Sequence, residues 1–144
     1  MGFDPPGHVS FAEHGVVVAA WLAPAAEGLS ADELLDLLER GFASLWRRAV
    51  LTLSDVTLLA IMDRVLCSVS ESCPRLAPLG VSASGLDCRA LREKGDALPR
   101  HQLVEGIGFV LVEFLTVLGN LTSEILTPAL HAELSSVRAK RAAT

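Results

Sequence analysis

The sequence predicts an all-α protein, a bundle of about four to six helices around one hydrophobic central helix. Three observations lead to this prediction. Residues 31–50 and residues 55–73 each repeat apolar side chains at helical spacing, with charged side chains on the opposite face. Residues 103–126 are the longest apolar stretch, and their polar side chains fall in a stripe only about 100° wide on a helical wheel. A helix with so little polar surface has to be covered on more than one side.

The chain has 144 residues, which is the length of one domain and enough to bury a core. Residues 1–9 include the run Asp-Pro-Pro-Gly, which is typical of a flexible leader. Residues 10–138 are predicted to form a single helical domain. Residues 139–144 are predicted to be a disordered basic tail, because they have the composition of a solvated chain end.

The segment 8–23 allows two predictions. Ser10 and Glu13 have the spacing of a capping box before an apolar run that ends at Pro24, which favours a short helix. However, the His14-Gly15 pair is also typical of a turn between two short strands, since three valines follow it. A β-hairpin over residues 8–23 therefore stays open beside the helix.

The first long helix is predicted over residues 31–50. Ser30 and Glu33 have the spacing of a capping box, in which each side chain accepts a hydrogen bond from the other residue's backbone N–H. Acidic residues begin the segment, and Arg47 and Arg48 lie near its end. This order is the one that the helix dipole favours.

The second long helix is predicted to follow a cap at Thr52 or Ser54 and to continue until Pro74 forbids further helix. Its polar residues, such as Asp63 and Arg64, share one face. The opposite face is predicted to be buried and consists of Leu58, Leu59, Met62, Val65, Leu66, Val69 and Cys73.

Residues 74–85 are rich in proline, glycine and serine, which predicts a loop with a short extended piece at Gly80–Ser82. A short helix is predicted over residues 86–94, ended by Gly95. Pro99 is predicted at the first helical position of the central helix, where its missing N–H costs little.

The segment after the central helix again allows two predictions. Thr127 and Pro128 form a cap followed by a proline at the first helical position. They either begin a separate last helix or kink the central one. In both cases Leu130, Leu134 and Val137 give the segment a narrow apolar stripe.

Charge and composition bear on several classes of function. The net charge is −5, the isoelectric point is near 5.3, and no basic face for nucleic acid is apparent. The uninterrupted apolar run at residues 107–112 is followed by Glu113 and is far shorter than the roughly 20 residues that span a membrane. The three cysteines and the lack of a signal-peptide pattern predict a reducing, cytoplasmic location.

No catalytic residue, metal site or cofactor is predicted, because the motifs of phosphate loops, zinc proteases and serine hydrolases are not found. Glu113 is the most suggestive carboxylate. It lies on the polar stripe with Thr116 and Asn120, which favours a solvated or salt-bridged side chain. Cys73 precedes a proline, as some thiolate ligands of haem do, but no second axial ligand is identified.

The sequence favours a non-enzymatic regulatory or adaptor module, for instance in signal transduction, that acts through homodimerisation and protein contacts. Hydrophobic residues make up 51% of the chain, which is more than one small domain usually hides. The predicted interface consists of Leu103, Ile107, Val110, Phe114, Leu118, Leu130 and Leu134.

The alternative hypothesis is a sensor or carrier whose bundle encloses a small apolar ligand or haem. Interiors of helical bundles are common places for such sites. The site is predicted near Met62, Leu66, Phe109 and Phe114.

Overall fold

The fold is given by a computed structural model that describes residues 11–82, 85–94, 99–122 and 125–137. The helices in these residues are α1 (Phe11–Ala26), α2 (Ala31–Ala49), α3 (Asp55–Ser72), α4 (Arg89–Lys94), α5 (Arg100–Leu121) and α6 (Thr127–Ser136). A 3-10 turn at Pro74–Leu76 and two antiparallel strands, β1 (Gly80–Ser82) and β2 (Gly85–Asp87), lie between α3 and α4. The prediction of an all-α bundle is confirmed. The predicted leader, 1–9, and tail, 139–144, lie outside the described residues.

Helix α1 decides between the two predictions for the segment 8–23, because its described residues, 11–23, are helical and do not form a hairpin. The apolar run ends at Pro24, but the helix includes this proline and continues to Ala26. The proline costs one backbone hydrogen bond, but the helix ends within a turn of it. The guanidinium of Arg100 donates to the carbonyl groups of Ala26 and Leu29 at this end. Gly28, with a φ of 76°, provides the turn.

Helices α2 and α3 agree with their predicted bounds to within one residue. The capping box is formed, since Glu33 N–H donates to Ser30 Oγ at 3.2 Å and Ser30 N–H donates to Glu33 Oε1 at 2.9 Å. Ser54, rather than Thr52, caps α3 and accepts a hydrogen bond from Thr57 N–H at 3.2 Å. Local capping signals therefore place both helix starts correctly.

The prediction of the buried face of α3 is wrong for one residue. Leu59 is 42% exposed, whereas Ile61 is 5% exposed and lies in the core. On a helical wheel Leu59 is about 90° from the centre of the buried face, and Ile61 is about 70° away on the other side. The buried face is thus turned slightly toward Ile61.

The connection between α3 and α5 differs from the prediction. The predicted extended piece is β1, but it pairs with β2, so the prediction of a helix from residue 86 is wrong and α4 begins at Arg89. The strand places Leu86 in the core at 5% exposed. It also brings the backbone N–H of Cys88 to within 3.1 Å of a carboxylate oxygen of Glu39 on α2. Gly95, the predicted end of the short helix, lies outside the described residues.

The central helix α5 is shorter than predicted. It follows Pro99, which is at the N-cap rather than the first helical position, and it ends at Leu121. At this end both the backbone N–H and the hydroxyl of Thr122 donate to the carbonyl of Leu118, at 3.1 Å and 2.9 Å. The chain then turns, and α6 begins with Thr127 and Pro128. The proline therefore begins a separate helix instead of kinking the central one.

Helix α5 lies at the centre of the bundle and packs against α1, α3, α2 and α6. Helix α1 is antiparallel to α5. The end of α1 is bonded to Arg100 at the start of α5, whereas Leu22, which comes earlier in α1, lies beside Gly108, which comes later in α5. Helix α2 is parallel to α5. Arg100 also bonds the carbonyl two residues before α2 begins, and the rings of Phe42 and Phe114 pack together further along both helices.

By length and composition, α5 is also able to cross a membrane. Of its most apolar 18 residues, 56% are buried inside the protein. The core helix of a soluble protein passes the same test, so this property alone is weak support for a membrane span. The prediction that no segment spans a membrane stays a prediction.

Candidate interaction surface

The residues of the predicted interface lie in the core of the single chain. None of them is more than 2% exposed. These residues are Leu103, Ile107, Val110, Phe114, Leu118, Leu130 and Leu134. Their side chains are covered by neighbouring helices of the same chain. A surface that a partner reaches without opening the fold has to be formed by other residues.

Exposed aliphatic side chains are concentrated at one end of the bundle. In the described part of the chain seven large hydrophobic side chains are exposed. Six of them belong to the α2–α3 connection, to the start of α3, or to the end of α5 and the connection after it. We call these six the apolar end: Val50, Leu51, Val56, Leu59, Leu121 and Ile125. Val56 and Ile125 are each 78% exposed and Leu51 is 73% exposed. The seventh, Val16, lies on α1.

The directions of the helices bring the segments of the apolar end together. Helices α2 and α5 begin at the same end of the bundle, so they finish at the other. The rings of Phe42 and Phe114, 4.8 Å apart, align the two helices. Val50 lies about 12 Å beyond Phe42 along α2, and Leu121 lies about 11 Å beyond Phe114 along α5. The end of α2 and the end of α5 are therefore at about the same height.

Charges of both signs border the apolar end. Arg47 is exposed and Arg48 is half-buried in the last turn of α2, just before Val50. Asp55 is exposed in the first turn of α3, just before Val56. Each charge stabilises its own helix terminus. The surface thus combines an apolar centre with a cation and an anion beside it.

Two histidines connect α1 to α6. His14 is 1% exposed, and its Nδ1 lies 3.0 Å from Nε2 of the half-buried His131. The ring centroids are 5.2 Å apart and the ring planes are nearly perpendicular, at 87°. A hydrogen bond at this distance requires one nitrogen to donate and the other to accept.

Two further hydrogen bonds hold α6 on the bundle. The indole N–H of Trp21 on α1 donates to the carbonyl of Val137 at 3.1 Å. The hydroxyl of Ser44 on α2 donates to a carboxylate oxygen of Glu133 at 3.2 Å. Helix α6 therefore has polar contacts with both α1 and α2, in addition to its buried leucines.

The side chain of Glu39 connects α2 to α4. One oxygen accepts a hydrogen bond from Arg92 Nη1 at 2.9 Å, and the other accepts from the Cys88 backbone N–H at 3.1 Å. Burial, together with the negative charge of Glu39, raises the pKa of the Cys88 thiol to about 12. Cys88 is therefore a protonated, small hydrophobic residue at neutral pH and is not a nucleophile.

The residues considered for chemistry are not assembled into one site. Glu113 is half-buried on α5, and Cys73 is half-buried at the end of α3. Among the residues that the structure describes, no group of three or more histidine, cysteine, aspartate or glutamate side chains is arranged to hold a metal ion. An enzymatic function gains no support from these positions.

The residues of the ligand or haem hypothesis differ in burial. Met62 and Phe114 are fully buried, whereas Leu66 and Phe109 are only partly buried. The ring of Phe114 packs against the ring of Phe42. The ligand hypothesis stays a prediction.

Neither the apolar end nor the histidine contact was predicted from the sequence. Leu51 carried a usable signal, because it is a large aliphatic residue between two predicted helices. Ile125 carried none, because it lies on the apolar side of the predicted central helix, residues 103–126. The contact between His14 and His131 carried none, since 117 positions separate them in sequence.

The chain was also compared with known proteins by sequence and by structure. No protein family, curated protein or solved structure matches it. Its function has therefore to be inferred from its own surface and contacts.

Proposed function

We propose that this protein is a non-enzymatic helical module that works through protein contacts and forms a homodimer through its apolar end. The observation that supports the proposal is the concentration of six exposed aliphatic side chains at one end of the bundle. Monomeric soluble proteins rarely expose large connected apolar surfaces, and such surfaces commonly mark contact sites. A regulatory or adaptor role, as in signal transduction, suits a module of this kind.

A second copy is the favoured partner because this surface is complementary to itself. In a twofold dimer the same surface of each copy faces its equivalent, so an apolar centre is covered by an apolar centre. Arg47 and Asp55 beside that centre provide opposite charges that pair across the twofold axis.

The state of the cysteines supports the cytoplasm as the location in this proposal. Cys67, Cys73 and Cys88 are all free thiols, and Cys67 is exposed. Exposed free thiols persist in reducing compartments.

Sedimentation equilibrium tests the proposal, over concentrations from about 1 μM to about 1 mM. Val56→Glu and Leu51→Glu each place a carboxylate in the apolar end, where a twofold contact desolvates it and brings like charges together. We expect a concentration-dependent dimer for the unaltered protein and a monomer for either variant. Both side chains are more than 70% exposed, so the free energy of unfolding of the monomer should change by less than about 0.5 kcal/mol.

Val16→Glu is the matched control, because Val16 is 68% exposed but lies on α1. We expect this variant to dimerise as the unaltered protein does. An unaltered protein that stays monomeric at the highest concentration contradicts the proposal. So does a dimer that survives Val56→Glu, and loss of the dimer in the control alone assigns the interface to α1.

A further inference from the structure

We propose that the contact between His14 and His131 is a pH-sensitive connection that holds α6 on the bundle and weakens on acidification. The contact joins a fully buried ring on α1 to a half-buried ring on α6, with 3.0 Å between the two nitrogens. Its geometry depends on one of these nitrogens being without a hydrogen. Histidine is the side chain whose ordinary titration lies nearest to physiological pH.

Protonation changes this contact in two steps. When the pair gains one proton, an N–H of the charged ring still donates to the neutral ring. When both rings are charged, both facing nitrogens carry a hydrogen. The hydrogen bond is then lost, and two positive charges are held together in a place where His14 has almost no access to water. The second proton is therefore bound more easily when the rings are apart.

The direction of the pH effect follows from linkage. A free imidazole is half-protonated at about pH 6.5. The open arrangement binds more protons in acid than the closed one, so the closed contact is fully stable above about pH 6.5 and loses stability as the pH falls below it. Acid thus favours the arrangement in which α6 leaves α1.

Charged groups on the surrounding helices moderate this effect. Glu13 precedes His14 on α1, and Glu133 follows two residues after His131 on α6, where it accepts a hydrogen bond from Ser44 of α2. On α2, Arg48 lies one turn beyond Ser44 on the same face. On α5, Glu113 is the titratable residue in the second half of the helix. The carboxylates favour the first proton on the pair. They do not remove the conflict that the second proton creates between the facing N–H groups.

Helix α6 is suited to open as a unit. It has ten residues, and only a short connection joins it to α5. Its departure breaks the hydrogen bond from Trp21 to Val137 and uncovers Leu130 and Leu134, which are fully buried in the closed arrangement. Short helices at the edge of a fold commonly open without unfolding the rest.

Hydrogen exchange measured by mass spectrometry on the full chain tests the proposal between pH 7.5 and pH 5. After correction for the intrinsic exchange rate, we expect amides of α6 to exchange about tenfold faster at the lower pH, while amides of α5 keep their protection. Trp21 gives a second readout in the Trp46→Phe background, where it is the remaining indole of two. Its fluorescence should change over the same pH range.

His131→Gln and His14→Gln each keep a hydrogen-bonding side chain but leave only one imidazole in the contact, so two facing positive charges cannot form. We expect α6 in these variants to show the same corrected protection at both pH values. His101→Gln is the control, because His101 is exposed in the first turn of α5, and it should behave as the unaltered protein does.

Three outcomes overturn the proposal: pH-independent protection of α6 in the unaltered protein, equal loss of protection in α5 and α6, or an unchanged pH response in His131→Gln. If a glutamine variant does not fold, the comparison of α6 with α5 in the unaltered protein decides alone.

Discussion

At the scale of single residues, the contact between Phe42 and Phe114 joins α2 to the central helix. Both side chains are fully buried, and their rings are 4.8 Å apart and inclined by 38°. Such ring pairs contribute beyond the apolar area that they bury. Both rings are shielded from solvent, so water does not fill the space that is left when one of them is removed.

We expect Phe114→Ala to lower the free energy of unfolding by about 3–5 kcal/mol, because it removes buried surface and leaves a cavity beside Phe42. Urea denaturation followed by circular dichroism measures the change. Phe109→Ala is the control, since Phe109 is only partly buried and should cost clearly less. A loss below about 1 kcal/mol for Phe114→Ala is incompatible with the packing described here.

Cys88 gives a prediction at alkaline pH. Burial raises its pKa from 9.0 to about 12, so the folded protein keeps a proton that the unfolded chain releases. The stabilisation from the buried thiol is complete below pH 9.0 and is lost as the pH rises toward about 12. We expect the stability advantage of the unaltered protein over Cys88→Ala to shrink between pH 8.5 and about pH 11. Titration of tyrosine side chains does not contribute to this pH dependence, because the chain has no tyrosine. A constant difference contradicts the assignment.

At the scale of elements, side chains that reach the backbone of another element hold the bundle together. Arg100 on α5 bonds carbonyl groups at the end of α1, and Trp21 on α1 bonds the carbonyl that follows α6. Glu39 on α2 accepts the Cys88 N–H just before α4. Each of these contacts joins a side chain of one element to a backbone group at or beside the end of another, where the helical hydrogen-bond pattern stops.

We expect Glu39→Ala to lower the free energy of unfolding by about 1–2 kcal/mol, because it leaves the buried Cys88 N–H without an acceptor and removes the charge that pairs with Arg92. Glu39→Gln keeps an acceptor for the N–H and should lose less. Arg40→Ala, at an exposed neighbouring position, is the control and should be nearly neutral. Chemical denaturation gives these values. Equal losses for the alanine and glutamine variants show that the backbone acceptor is unimportant.

At the scale of the whole molecule, the predictions succeeded where the signal is local. The capping residue Ser30 and the helical spacing after it place α2 because a helix forms from neighbours in sequence. The second strand was missed, since Leu86 is extended only through its pairing with β1 and its burial in the core. A short polar segment carries no sign of such distant partners.

The candidate site shows the same limit. The apolar pattern correctly indicated burial of residues such as Ile107 and Val110, which are completely buried. A pattern of burial does not say whether the covering side chains belong to the same chain or to a second copy. The apolar end was overlooked because its members come from three segments whose proximity depends on the directions of α2 and α5.

The closeness of α1 and α6 has a consequence for synthesis of the protein on the ribosome. His14 and His131 are separated by 117 positions. At a translation rate of about 5–20 residues per second, His14 is made about 6–23 s before the residue that it contacts on α6. During this interval the surface of α1 that α6 covers, including the ring of Trp21, is open to chaperones or to a neighbouring nascent chain. Docking of α6 then closes a loop of nearly the whole chain, which makes it a natural last step of folding.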